Sequence, residues 1–118
     1  MKIVVQHVRH WPGEGQIEAG DSVHWRVHRR SLSSLGNPFH MKDETQRERV
    51  IAEYRAWLWG KIKAGDQAVL NELRWLARKA SEGKTVNLYC YCAPKACHAN
   101  VVANAIKWMA TQTETVPA

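Results

Sequence analysis

Cysteine is scarce in this sequence, and so are long apolar runs; each shortage excludes a class of protein. The three cysteines are odd in number, and two of them, Cys90 and Cys92, stand one residue apart. That is no framework for a small secreted disulfide scaffold and suits a reducing compartment. No charged, then apolar, then small-residue leader opens the sequence, and its longest apolar runs are far too short to cross a bilayer. There is no internal repeat, no low-complexity linker and no break in composition marking a second domain. The expectation is therefore a cytoplasmic protein, in a bacterial cytosol or, if phage-encoded, that of the host, with no membrane partner. A chain of 118 residues can bury roughly two thirds of its unfolded surface, so neither disulfides nor a metal is needed for bulk stability. A single domain over 1–111 is expected, with 112–118 a flexible polar tail.

What the chain does have is positive charge: seventeen Lys and Arg against eleven Asp and Glu, formally +6. Such a balance favours anionic partners, whether nucleotides, phosphate esters or nucleic acid. The excess is concentrated in RVHRRS, residues 26 to 31; elsewhere the cations alternate with acids in the manner of solvated helix faces.

The pattern of apolar residues predicts a small α/β domain. KIVVQHV, residues 2 to 8, reads as a central strand, with Ile3, Val5 and His7 alternating against Val4, Gln6 and Val8. The Gly- and Pro-rich stretch after it reads as loop or irregular edge structure. SVHWRVH, residues 22 to 28, reads as a second strand, with Val23, Trp25 and Val27 on one face and His24, Arg26 and His28 on a wet or functional one. RRSLSSLGNPFHMK has neither period and is a long loop. Asp43 can cap a helix carrying Val50, Ile51, Tyr54, Trp57, Leu58 and Ile62 at helical spacing, with Gln46 reaching back from the third helical position. Gly65 ends it, and Asp66 can cap a second helix with a stripe of Val69, Leu70, Leu73, Leu76 and Ala77. KTVNLYCYC, residues 84 to 92, is the last strand. A final helix begins around 96 to 98 and carries Val101, Val102, Ala105, Trp108 and Met109 inward. Helices separating the first and last strands allow them to lie side by side and parallel. The expected architecture is Rossmann-like, in two or three layers, with three or four mainly parallel strands and three helices.

NLYCYCAPKACHAN, residues 87 to 100, holds every cysteine. Cys90 and Cys92 share a face at the carboxyl end of the last strand, where open α/β sheets place ligands, and Cys97 and His98 lie at the start of the next helix. A helix amino terminus can bind an anion and lower the pKa of a thiol, which makes Cys97 the best-placed nucleophile. Three readings stay open. Cys90, Cys92, Cys97 and His98 suffice in number for a zinc site, although Cys97 and His98 are adjacent and the spacing is unusual. Cys97 can act as a nucleophile with His98, or with a base such as His7, His28 or His40, since neighbouring helix positions diverge. Or Cys90 and Cys92 are small buried groups and His98 satisfies a backbone atom.

With SLSSLGNPF (31 to 39), VIAEYRAWL (50 to 58) and LYCYCAPKACHANVVANAI (88 to 106) in that order, the chain resembles the family called domain of unknown function 4326, small proteins of bacteria, archaea and phages. The resemblance runs from Val4 to about Ile106. It implies no established activity and no assigned catalytic residues. Members commonly carry a Gly-Arg-Gly-Ser-Pro run before Leu-Gly-Asn-Pro-Phe, whereas RSLSS stands here at residues 30 to 34. Those glycines would let the backbone approach a phosphate closely; in their absence Arg29, Arg30 and the serine hydroxyls can serve as anion donors. The final segment is also similar to a second α/β group that ends in strand, Cys-His-Arg and helix; Ala99 stands here in the Arg position. LGNPF itself works as a turn, with Gly36 and Asn37 tolerating left-handed backbone and Phe39 plugging the core.

The leading expectation is a protein that binds a nucleotide or another phosphorylated ligand, within reach of an enzyme of nucleotide or nucleic-acid modification. Cys97 and His98 are its catalytic candidates, and Ser33, Gly36, Asn37, Arg29, Arg30, Cys92 and Lys95 its ligand-binding ones. One alternative is a nucleic-acid-binding module using residues 26 to 31, with Trp11 or Trp25 stacking on bases. The other is a structural or host-interaction protein whose cysteine turn is packed or clipped by zinc.

Overall fold

The computed structural model of the chain describes residues 2–11, 18–27, 33–36, 38–39, 43–91 and 97–115. Four strands form one sheet: β1 (Lys2–His7), β2 (Glu18–Ala19), β3 (Ser22–Arg26) and β4 (Thr85–Cys90), in the order β1-β4-β3-β2. β4 pairs in parallel with both β1 and β3, while β2 is a short antiparallel edge. Three helices follow the strands in the α/β manner: α1 (Arg47–Ala64), α2 (Gln67–Ser81) and α3 (His98–Thr115).

The register explains the layers. Ile3 and Val23 flank Val86, and Val5 and Trp25 flank Leu88, so these side chains share one face with Cys90. That face forms a single core with Tyr54 and Leu58 of α1, Leu73 and Leu76 of α2, and Val102, Ala105 and Ile106 of α3. All three helices thus lie on one side. Among the described residues the arrangement has two layers, one of the two layerings expected. The first strand was expected to be central, yet β1 is an edge and β4 is the centre. β-branched composition reports a strand that packs on one side, not its rank in the sheet. Full burial on both faces is the better sign: Val86 through Cys90 are all buried, while Lys2 is exposed and the rest of β1 is half-buried.

A central strand must satisfy any polar side chain it buries. Asn87 does so by donating from Nδ2 to the Val23 carbonyl at 3.2 Å and accepting on Oδ1 from Gln6 Nε2 at 2.6 Å. It thereby bridges all three parallel strands. At the far edge, Lys84 and Lys79 donate to Glu18 at 2.7 and 3.2 Å, tying β2 to the end of α2 and holding the Glu18 carboxyl below its usual pKa.

The helix boundaries follow from their caps. Asp43 accepts from Thr45 N at 2.9 Å, but it caps a 3-10 turn, Glu44–Gln46, and α1 begins only after that turn. α1 ends where Gly65 takes φ 77°, a backbone region costly for any residue with a Cβ. Asp66 then accepts from Val69 N at 3.1 Å and starts α2 at once. The expected inward stripe of α3 is correct at Val101, Val102, Ala105 and Met109, whereas Trp108 is 37 % exposed and packs edge-on against Trp59 at 5.1 Å. Period alone put Trp108 inside; the large ring lies at the margin of the apolar face and covers a neighbouring helix instead.

Candidate ligand site at the carboxyl edge of the sheet

The three parallel strands end together at His7, Arg26 and Cys90, and Cys97 and His98 stand where α3 begins. Asn100 holds that start: its Oδ1 accepts from Cys97 N at 2.9 Å, and its own N–H donates to the Cys97 carbonyl at 3.0 Å. Cys97 and His98 then diverge, as adjacent positions at a helix start must. The Cys97 sulfur lies 2.8 Å from that of Cys90, both being buried thiols, whereas a disulfide would hold them at about 2.05 Å. The His98 ring turns the other way, donates from Nε2 to the Val27 carbonyl, and packs against Tyr54 with centroids 5.0 Å apart. Because a carbonyl can only accept, that bond places a proton on Nε2.

Tyr54 joins this end of α3 to the serine-rich loop. Its hydroxyl donates to the Leu35 carbonyl at 2.6 Å. Ser33 builds the loop itself: its Oγ accepts from Leu35 N at 3.0 Å and donates to the Glu72 carboxylate, and its carbonyl accepts from Gly36 N at 3.0 Å. Ser34 ties the same turn to α2 by donating to the Ala68 carbonyl at 3.1 Å. Burial, reinforced by the Glu72 charge and by Cys97, pushes the Tyr54 hydroxyl well above its ordinary pKa. Ser33, Leu35, Tyr54, Glu72 and His98 therefore form one connected group. Cys97 and Gly36 adjoin it along the chain.

Of the other candidate residues, Arg29, Arg30, Asn37, Cys92 and Lys95 lie outside the described residues, as do His28 and His40. Among the described residues no group of three or more His, Cys, Asp or Glu side chains gathers as a metal site. Sequence reasoning passed over Glu72 altogether and assigned Tyr54 only to the core. Glu72 falls within the α2 period between Val69 and Leu76, on the flank of the apolar stripe. An acid three residues after Val69 and four before Leu76, at the spacing of the stripe itself, was its only signal.

The opposite face of the sheet carries a second group. Trp11 lies edge-on to Tyr89 at 5.0 Å and to His24 at 6.4 Å, His24 Nδ1 and the Tyr89 hydroxyl are 2.7 Å apart, and the Arg26 guanidinium sits 4.6 Å above the Trp11 ring. Desolvation raises the pKa of Tyr89. Among the described residues, no helix is long and apolar enough to cross a membrane.

A two-layer α/β fold with a helix start and a polar loop meeting at the carboxyl edge of parallel strands defines the class of small single-sheet α/β proteins. Within that class the chain belongs to the family described as domain of unknown function (DUF4326), whose profile matches residues 9–108. No curated protein and no solved structure matches it.

Proposed function

We propose that the chain binds a nucleotide or a similar phosphorylated small molecule at the carboxyl edge of the sheet, between the start of α3 and the Ser33–Gly36 turn. The observation that carries this reading is the Tyr54 bridge: one buried side chain touches His98 at the helix start and the Leu35 carbonyl in the loop, which brings the two family-specific segments to one place. Crevices outside the carboxyl ends of parallel strands are where α/β sheets take ligands, and the amino end of a helix there favours a phosphate. In this reading Glu72 accepts from the hydroxyls of a sugar, while Cys97 and His98 shape the wall of the site. His98 is a positioning residue, its Nε2 proton engaged by Val27.

A thermal-shift panel of nucleotides, sugar phosphates and inorganic phosphate tests the reading. A ligand present at a hundredfold over its dissociation constant stabilises the folded chain by about 2.7 kcal/mol, a shift of several degrees. A phosphorylated member is expected to do this, and Glu72→Gln to weaken the effect of sugar-bearing members more than that of inorganic phosphate. The absence of stabilisation by every member would refute the reading.

A further inference from the structure

The acids of this protein are unevenly placed. Residues 2–11, 22–26 and 85–91, which contain the three parallel strands and the turn after β1, include no Asp or Glu at all. At the carboxyl ends of these strands, where His7 pairs with Cys90 and Arg26 with Tyr89, rings and cations gather in two groups. Tyr91 is 61 % exposed and stands edge-on to His7 with centroids 6.0 Å apart. His7 Nδ1 accepts from Arg9 N at 3.0 Å, and Arg9 Nε donates to His10 Nε2 at 3.3 Å. Trp11 follows, with the exposed Arg26 over its ring at 4.6 Å.

From this patch we infer a binding surface for single-stranded nucleic acid, with a base stacked on Tyr91 and phosphates held by Arg9 and Arg26. Two features select that partner. The first is charge complementarity: Arg9 and Arg26 are exposed on a surface whose own segments supply no carboxylate to neutralise them. The second is the alternation of flat rings with guanidinium groups, which matches the alternation of bases and phosphates along a strand. An acidic peptide would neutralise the arginines and leave the exposed Tyr91 ring with nothing to stack on. A duplex hides its base faces from that ring.

This inference does not depend on the Tyr54 and Glu72 site. It is tested by fluorescence anisotropy with a labelled, unstructured DNA or RNA strand, its duplex, and heparin, using the wild-type chain, Tyr91→Ala, Arg26→Gln and Glu72→Gln. The strand is expected to bind more tightly than the duplex, with affinity falling steeply between about 50 and 200 mM salt. Tyr91→Ala is expected to weaken binding roughly five- to a hundredfold with little change in salt dependence. Arg26→Gln is expected to reduce the slope of log affinity against log salt by about one. Glu72→Gln should leave strand binding unchanged, so failure here and failure of the nucleotide site are separately visible. Both patch variants change exposed side chains, and their thermal melts establish that they remain folded. The inference is overturned by no strand binding at low salt, by a preference for duplex or heparin, or by strand binding that Tyr91→Ala leaves intact.

Discussion

Tyr54 serves two partners from one buried position. It is fully buried, its hydroxyl serves the Leu35 carbonyl, and its ring backs His98. Tyr54→Phe keeps the ring and removes the donor, which leaves a buried carbonyl short of a partner; a loss of about 1–2 kcal/mol in urea denaturation is expected. The same hydroxyl gives a pH dependence whose sign is fixed. Below its ordinary pKa of 10.0 the proton is bound in both folded and unfolded chains, and nothing is gained or lost. Above it the unfolded chain releases the proton while the folded chain retains it, so stability falls as pH rises, by about 1.4 kcal/mol per pH unit for this group. Denaturation midpoints measured upward from about pH 10 should therefore fall less steeply for Tyr54→Phe than for wild type. The sequence made Tyr54 legible as a core residue because helical period reports only the direction a side chain faces. Its second role was hidden because the partner carbonyl, at Leu35, lies in a loop without a period of its own.

At the scale of elements, caps carried the most readable information. Gly65 and Asp66 were legible as a stop and a start because each answers a local need: a left-handed backbone in one case, an orphan amide in the other. Asp66→Ala is expected to cost about 0.5–2 kcal/mol and to raise hydrogen exchange in the first turn of α2 ahead of the rest of the molecule. Strand order was harder to read. β1 and β4 have similar apolar content, and only pairing across distant segments makes one the edge and the other the centre. The layering was illegible for the same reason. A helix stripe states that a face is buried without saying on which side of the sheet it packs. The candidate site was legible in part, since the helix start at His98 and the turn at Ser33 could be located from local signals, whereas the link through Tyr54 and Glu72 is a tertiary fact.

At the scale of the whole molecule, the Cys90 and Cys97 thiols report on global integrity. They are 0 % and 2 % exposed, joined by their own contact and part of the hydrophobic core. Alkylation mapped by peptide mass spectrometry should modify both together, slowly in the folded protein and at a rate that climbs with urea below the unfolding midpoint. Fast modification of Cys97 alone in native buffer would instead show that the start of α3 opens by itself. Slow, joint modification marks a rigid strand-to-helix junction, and early modification of Cys97 marks one that opens locally.

The position of β4 has a consequence for how the chain acquires its shape. Lys2 lies opposite Thr85 in the register, and so does Ser22 from the other side. As the chain leaves the ribosome, β1 and β3 must therefore wait for β4 before either gains a parallel neighbour. α1 and α2 can coil in the meantime, but they have no sheet to rest on. The arrival of Val86 and Leu88 then converts several waiting pieces into one body in a single late event, governed by contacts between residues far apart in sequence. Until β4 is made, the helices and strand segments that precede it await the strand that joins them.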